Sequence, residues 1–445
     1  MRSLESSWDV DGFISEQRYY CSLSPTDIAN MPPAKAILAP EQRQYVDTEI
    51  VEGQTYYIRI STVRDGVEKF SEEKRVVASK YIWANTLELM GSLTDATNNF
   101  NTYEATAVLL TPSVSIGDTS KWRGGVLAPN GKIYCAPLDS NNLLVIDTNN
   151  DTAIRTNFGL SLSGTNKWVG GVLAPDGKIY FCPQNATQVL VIDTNTDTAV
   201  LSDFGLNLSS MLETRWFGGF FSNNHIYMIP QNASKLLKIK PSDNTAVLID
   251  FGLDLSGAAK WRGGVLAPNG KIYCAPQSAT DVLIIDTNND TATRTNFGLD
   301  LSGVNKWISG VLAANGKIYF CPQTSSQVLV IDTNNDTAIL TNFGLNLSDT
   351  TKWFGGALGS NGRVYFTPAF VSDFLVINPY NHTAERKTLG ATIGGAGMYA
   401  GSVLSAQGDI YCIPQNAVNI MKLVKHQNVA QIGIRNALSP HLNKL

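Results

Sequence analysis

From residue 117 onward the chain repeats one pattern of apolar and polar positions. In one copy, residues 261–268 (WRGGVLAP) form an apolar run closed by Asn269-Gly270, a dipeptide that favours a tight hairpin because both residues tolerate positive φ. Residues 271–276 (KIYCAP) form a second run, and a polar loop covers 277–281. Residues 282–286 (VLIID) form a third, and after the turn TNND residues 291–297 form a fourth. Short apolar runs punctuated by turn formers predict four antiparallel strands per copy. Aromatic anchors open the copies at Trp122, Trp168, Trp216, Trp261, Trp307, Trp353 and Tyr399, spaced by 46, 48, 45, 46, 46 and 46 residues. A tyrosine and then a proline follow every anchor, from Tyr134 and Pro137 to Tyr411 and Pro414. Four strands per unit of this length fit a propeller blade rather than a helical repeat or solenoid coil. Seven blades can close into a ring, which removes exposed sheet edges. Gly263 and Gly264 fall on the strand expected nearest the axis, where crowding leaves little room for a Cβ.

A longer period lies over the first. The sixteen letters WRGGVLAPNGKIYCAP begin at both Trp122 and Trp261, which are 139 residues apart; copies two and five share KIYFCPQ, and copies three and six share WFGG. A duplicated three-blade unit with a seventh blade added accounts for this. Residues shared by all copies serve the shared fold, so departures from the repeat are the better guide to a ligand site.

Composition narrows the function. Only 16% of the 445 residues are charged, and the formal net charge is −4. No basic face is left to neutralise a phosphate backbone, so nucleic acid is not expected as a partner. No apolar run approaches eighteen residues, so no membrane insertion is expected. The opening MRSLESSWDV lacks the apolar stretch of a secretory signal, and Sec export is not expected. Four scattered histidines do not suggest a metal centre, and no cofactor is expected. Cys135, Cys182, Cys274, Cys321 and Cys412 recur in Ile-Tyr-Cys or Tyr-Phe-Cys contexts, where a reduced thiol serves as a small buried hydrophobe.

Pro268 to Tyr273 (PNGKIY) followed by Val282 to Thr291 (VLIIDTNNDT) resembles the propeller repeats of bacterial surface-layer and related proteins (YVTN-like), over roughly residues 117–430. The resemblance implies a fold and leaves function open. Residues 1–79 differ. Trp8 sits in an alternating run, Ile14 to Leu23 contains another apolar stretch, and VEGQTYYIRISTVRDGVEKFSEE resembles the penultimate strand and following hairpin of a fibronectin type III module, with Tyr56 or Tyr57 near its corner tyrosine. Trp8 stands so early that the module's first strand is either missing or supplied by a partner. The expected fold class is therefore all-β, a seven-bladed β-propeller preceded by a small fibronectin type III-like β-sandwich. Its expected divisions are a sandwich over 1–79, a connector over 80–116, a propeller over 117–434 and a tail over 435–445. The strand-like TAVLLTP, from Thr106, could complete the last blade or lie against the sandwich.

This combination, with EQRYYCSLSP (Glu16 to Pro25), GQTYYIRIS and GVEKFSEE, resembles tail proteins of bacteriophages and prophages. The resemblance implies a non-enzymatic structural virion protein, assembled in the bacterial cytoplasm and present in several copies per particle. Its partners would be other phage tail proteins, reached through the sandwich, and a host cell-surface receptor or glycan met by the outward-facing propeller. The alternatives are a propeller lyase or hydrolase acting at the axial opening, and a purely structural spacer.

The candidate ligand-binding residues are the anchors Trp122, Trp168, Trp216, Trp261, Trp307, Trp353 and Tyr399, together with their variable neighbours Arg123, Phe217, Arg262 and Phe354. They are expected on one face beside Gln184, Gln231, Gln277, Gln323 and Gln415. Aromatic rings that stack on C–H bonds and amides that bridge hydroxyls suit a sugar. The competing reading packs every anchor between blades. The spacing D-x-N-x-D at Asp147, Asn149 and Asp151 mimics the start of a calcium loop but lacks its glycine and final glutamate, and is expected to be a hairpin turn. His225 and His382 each occur once, at unrelated places in the repeat, and no triad, phosphate loop or Cys-x-x-Cys motif is present.

Overall fold

Each copy of the repeat folds into one four-stranded antiparallel sheet. In the fourth, Trp261–Leu266, Lys271–Pro276, Val282–Asp286 and Thr291–Thr295 pair in sequence order. The structure is a computed structural model that describes residues 4–7, 16–38, 44–47, 55–64, 67–70, 74–77, 105–208, 215–390 and 393–424. Among the described residues there are seven such sheets. The inner strands of neighbouring sheets pack in a cycle: Trp122–Leu127 lies against both Trp168–Leu173 and Tyr399–Leu404, so the seventh blade meets the first. The chain is the expected seven-bladed propeller.

Closure uses a strand from the other end of the repeat region. The seventh blade takes Tyr399–Leu404, Ile410–Pro414 and Ile420–Val424 in order, and its fourth strand is Thr106–Leu110, paired from Ile420↔Leu110 to Val424↔Thr106. The ring therefore begins inside the stretch expected to be connector. Middle strands are covered on both faces by neighbouring blades, which is why KIYCAP and VLIID read as unbroken apolar runs rather than alternating ones. Cys135, Cys182, Cys274, Cys321 and Cys412 are buried in these second strands, and burial pushes every one of their thiols upward in pKa.

The inner strand carries a bulge just after its anchor, where the ladder shifts between Trp261 and Gly264. Gly124, Gly170, Gly218, Gly263, Gly355 and Gly401 take positive φ there, and Ser309 takes φ 54° in the fifth blade. At the next position a Cβ on Gly264 would meet the Tyr273 carbonyl oxygen at 2.6 Å. The bulge is what re-aims the residue after each anchor.

Two side-chain ties join consecutive blades. Tyr273 donates its hydroxyl to Asp336 in the next blade's last turn at 2.6 Å, Tyr134 does so to Asp197 at 3.1 Å, and Tyr411 closes the ring on Asp151. These aspartates adopt left-handed φ, and Asp147 accepts the Asn149 amide at 2.9 Å, so D-x-N-x-D is a turn, as expected, that also fastens blades. The lysine before the anchor supplies the second tie. Lys260 Nζ donates to the carbonyls of Gln231, Ala233 and Gly257 at 3.0, 3.1 and 2.6 Å, spanning two blades.

Two compact units divide the chain, the first within residues 1–102 apart from a C-terminal stretch, the second from residue 103. In the first, Ala36–Leu38, Glu16–Ser22 and Thr55–Arg64 form an antiparallel sheet, with Val67–Phe70 and Lys74–Val77 both paired to Thr55–Arg64. Leu4–Ser7 pairs with Gln44–Asp47, and among the described residues no further strand joins that pair. Tyr56 is buried with Tyr19, Leu38 and Ile58. Trp8 and residues 435–445 lie outside the described residues.

Candidate functional site at the axial mouth

The anchors stand at the ring face shared by the loops that enter each blade and those joining its second and third strands; Lys121, for example, donates its amide to Gln415 O and accepts from Leu138 N. They do not form an exposed aromatic platform. All seven are 3% exposed or less, inside the interblade core. The indole N–H groups are spent on backbone: Trp122 on Asn142 O, Trp168 on Gln188 O, Trp216 on Lys235 O, Trp261 on Asp281 O, Trp307 on Gln327 O and Trp353 on Asp373 O, at 2.7–2.9 Å. Their ring faces are taken too. Lys260 and Arg294 lie 6.0 and 5.4 Å from the Trp261 ring, and Lys352 and Arg386 repeat this at Trp353. The sugar-stacking role expected of the anchors is corrected to a packing role, because the protein's own cations and neighbouring blades occupy the surfaces a sugar would need.

The neighbours of the anchors behave differently. The bulge turns the residue after each anchor toward the axis, and Arg123, Val169, Phe217, Ile308, Phe354 and Ala400 line one cavity there, with about 20 Å³ of free space. Arg262 belongs to the same ring: its guanidinium lies 4.7 Å from the Phe217 ring and 5.5 Å from that of Phe354. Arg123 approaches Phe354 at 5.8 Å. Loop amides orient both cations, Arg123 Nε donating to Gln415 Oε1 at 3.2 Å and Arg262 Nη1 to Gln323 Oε1 at 3.3 Å. Burial pulls the Arg262 guanidinium down to about 9, with the charge of Arg123 adding to the effect, and Arg123 down to about 10 against a small opposing pull from Asp139.

Phe370 completes the mouth. It is 44% exposed and meets Phe354 edge-on at 5.7 Å. The sequence reading missed it, although the signal was present: Ala369-Phe370 stands where three other blades carry Gln-Asn. No imidazole among the described residues reaches this mouth. His225 sits at the opposite face, bonded to Asn223 O at 2.8 Å, and His382 occupies the left-handed turn position that Asp336 holds a blade earlier. Among the described residues no group of histidine, cysteine and acidic side chains is arranged to hold a metal, and no helix is long and apolar enough to cross a membrane.

No family model matches the chain, and no curated protein sequence matches it. Solved structures do. A streptogramin B lyase is similar at 14% identity and a TM-score of 0.57, over 72% of this chain and 97% of its own. Virginiamycin B lyase from Staphylococcus aureus, solved with quinupristin, is similar at 13% identity and a TM-score of 0.58, over 72% of this chain and 99% of its own. YCF48 bound to D1 peptide follows at 8% identity and a TM-score of 0.53, over 74% and 97%. At these identities the likeness is one of fold. It nevertheless corrects the expectation of a non-enzymatic chain. That expectation came with the resemblance to tail proteins, and propellers of this same fold are lyases, so the fold does not exclude chemistry at the axis. The chain is an all-β protein whose ring of seven blades carries a cationic and aromatic axial mouth.

Proposed function

We propose that the propeller is a recognition domain that takes its ligand at the axial mouth, and that the chain is a virion tail component whose N-terminal module attaches it to other tail proteins. The ligand would be a host-surface glycan. One observation carries the recognition reading: Arg123, Phe217, Arg262 and Phe354, the positions that break the repeat beside the anchors, converge at one opening beside the exposed Phe370. The tail assignment is supported by the segments of residues 14–75 that resemble phage tail modules. A single shallow sugar contact is weak, and several copies per particle would raise the effective affinity.

The paired guanidinium groups favour a second reading at the same mouth, since fixed cations can stabilise negative charge that develops during a reaction. One experiment addresses both. The full chain is applied to an array of bacterial surface polysaccharides, with Phe370→Ala alongside, and the bound glycans are then examined by mass spectrometry. Retention that drops at least tenfold in the variant supports recognition at the mouth, and shortened or unsaturated products support chemistry there. Retention unchanged by the substitution would remove the mouth from both readings.

A further inference from the structure

We propose that Arg123 and Arg262 form a two-pronged site for a carboxylate, so that the glycan taken at the mouth is an acidic one. This rests on the mouth being the ligand site, and it adds the chemical class. Three other arginines of the ring are paired with carboxylates, while Arg215, buried without one, gives Nη1 to the Ala186 carbonyl at 2.7 Å and Nη2 to that of Asn185 at 3.4 Å. Arg155 pairs with Asp118 at 3.0 Å, Arg294 with Asp281 at 2.8 Å, and Arg386 with Asp349 at 2.7 Å. Among the described residues, no carboxylate pairs with Arg123 or Arg262. Arg262 is only 8% exposed, and its Nε has no hydrogen-bond partner. A buried charge is ordinarily paired, and one left unpaired is retained against a cost.

The repeat explains how the two meet. They stand in blades one and four, so a ring of seven places them on opposing walls, and both guanidinium groups reach the single ring of Phe354. An aromatic face attracts a cation but supplies no countercharge. Arginine keeps its proton at neutral pH, so both positive charges persist at the mouth. Of the five N–H donors each guanidinium carries, one is engaged by a glutamine in each case. The remainder form forks that match the two oxygens of a carboxylate.

Space selects the shape of the anion. About 20 Å³ is free between apolar walls that include Val169, Ile308 and Ala400. That is on the order of one water, so a terminal carboxylate, with three heavy atoms, enters only as the side chains at the mouth move apart. A phosphate is bulkier and loses more hydration against apolar walls. The sugar bearing the carboxylate would then rest on the outer face against Phe370.

The test is calorimetric titration of the full chain with oligogalacturonate, a dextran oligosaccharide of equal length, and inorganic phosphate. Oligogalacturonate is expected to bind at least tenfold more tightly than dextran or phosphate, and to lose at least tenfold in Arg123→Gln and in Arg262→Gln. Dextran binding equally well, phosphate binding more tightly, or glutamine variants retaining full affinity would overturn the proposal. Should Phe370→Ala weaken binding while the arginine variants do not, the mouth stands and the carboxylate site falls; should none of the three weaken it, both fall. A second measurement needs no ligand. If Arg262 is held unpaired for binding, Arg262→Met raises the melting temperature of the unliganded protein, and a lowered one counts against the site.

Discussion

Ser309 occupies, in the fifth blade, the bulge position that glycine holds in the other six. Its φ is 54°, its side chain is fully buried, and its hydroxyl has no partner. A left-handed backbone costs a non-glycine residue on the order of 1 kcal/mol or more, and an unpaired buried hydroxyl adds about 1 kcal/mol. Glycine's greater freedom in the unfolded chain offsets part of that relief. Ser309→Gly is therefore expected to stabilise the protein by about 1 kcal/mol, read as a higher urea midpoint with an unchanged slope; a lower midpoint would show that the serine makes a compensating contact. The same scale explains what the sequence revealed of the site. Arg123, Phe217, Arg262 and Phe354 were legible because they break a period. The burial of the anchors was not, because Arg294 and Arg386 cover Trp261 and Trp353 from the fourth strand, thirty-three residues later, and such long-range cover leaves no local trace. Phe370 lies in the one second-to-third strand loop besides that of the first blade where no glutamine follows the proline, a departure as legible in the sequence as those beside the anchors.

Between elements, the fastening of one blade to the next by tyrosine and aspartate is tested by removing it and by adding it. Asp336 accepts from Tyr273 and from Lys271, each at 2.6 Å. Asp336→Ala is expected to cost about 0.5–1 kcal/mol, modest because the carboxylate is partly solvated. These bonds hold the Asp336 carboxyl below its ordinary range even though burial opposes them. Its contribution is thus present above the ordinary carboxylate pKa and lost as pH falls through the lowered one. In the sixth blade His382 holds the equivalent left-handed position, so Tyr319 lacks an acidic partner there. His382→Asp keeps a residue that tolerates this backbone and is expected to raise the melting temperature by restoring the bond; no gain would show that the bond adds nothing to blade packing. Blade number and strand order were legible at this scale because turn formers and apolar runs recur every 46 residues or so. The placement of Thr106–Leu110 was not, since a lone five-residue apolar run does not name its partner, and its pairing with Ile420–Val424 is set across more than three hundred residues.

Across the whole ring, small terms add because they are repeated. Burial pulls Lys121, Lys167, Lys260, Lys306 and Lys352 each down to about 8 from an ordinary value near 10.5. A lysine lowered on folding binds fewer protons in the folded chain than in the unfolded one between those two values. Stability therefore rises with pH from about 8 toward 10.5 through these five groups. The tyrosines and buried cysteines act in the opposite sense. Tyr134 and Tyr180 are pushed up to about 12, and the thiols are pushed up as well. Their contribution is complete below the ordinary thiol and phenol values, near 9 and 10, and is lost as pH rises beyond them. The sum predicts a melting temperature that climbs above pH 8, peaks at about 9–10 and then falls, where most proteins are already past their optimum. Circular dichroism melts from pH 6 to 11 would show it, and a monotonic fall from pH 7 would contradict the burial of the five amines. The seventh blade supplies the control. Met398 stands there in place of lysine, its backbone amide donating to Ala369 O at 2.9 Å as Lys306 N does to Gln277 O at 2.8 Å. A ring that already accepts methionine at this joint should still fold with Lys306→Met, and that variant should show a shallower rise toward pH 9.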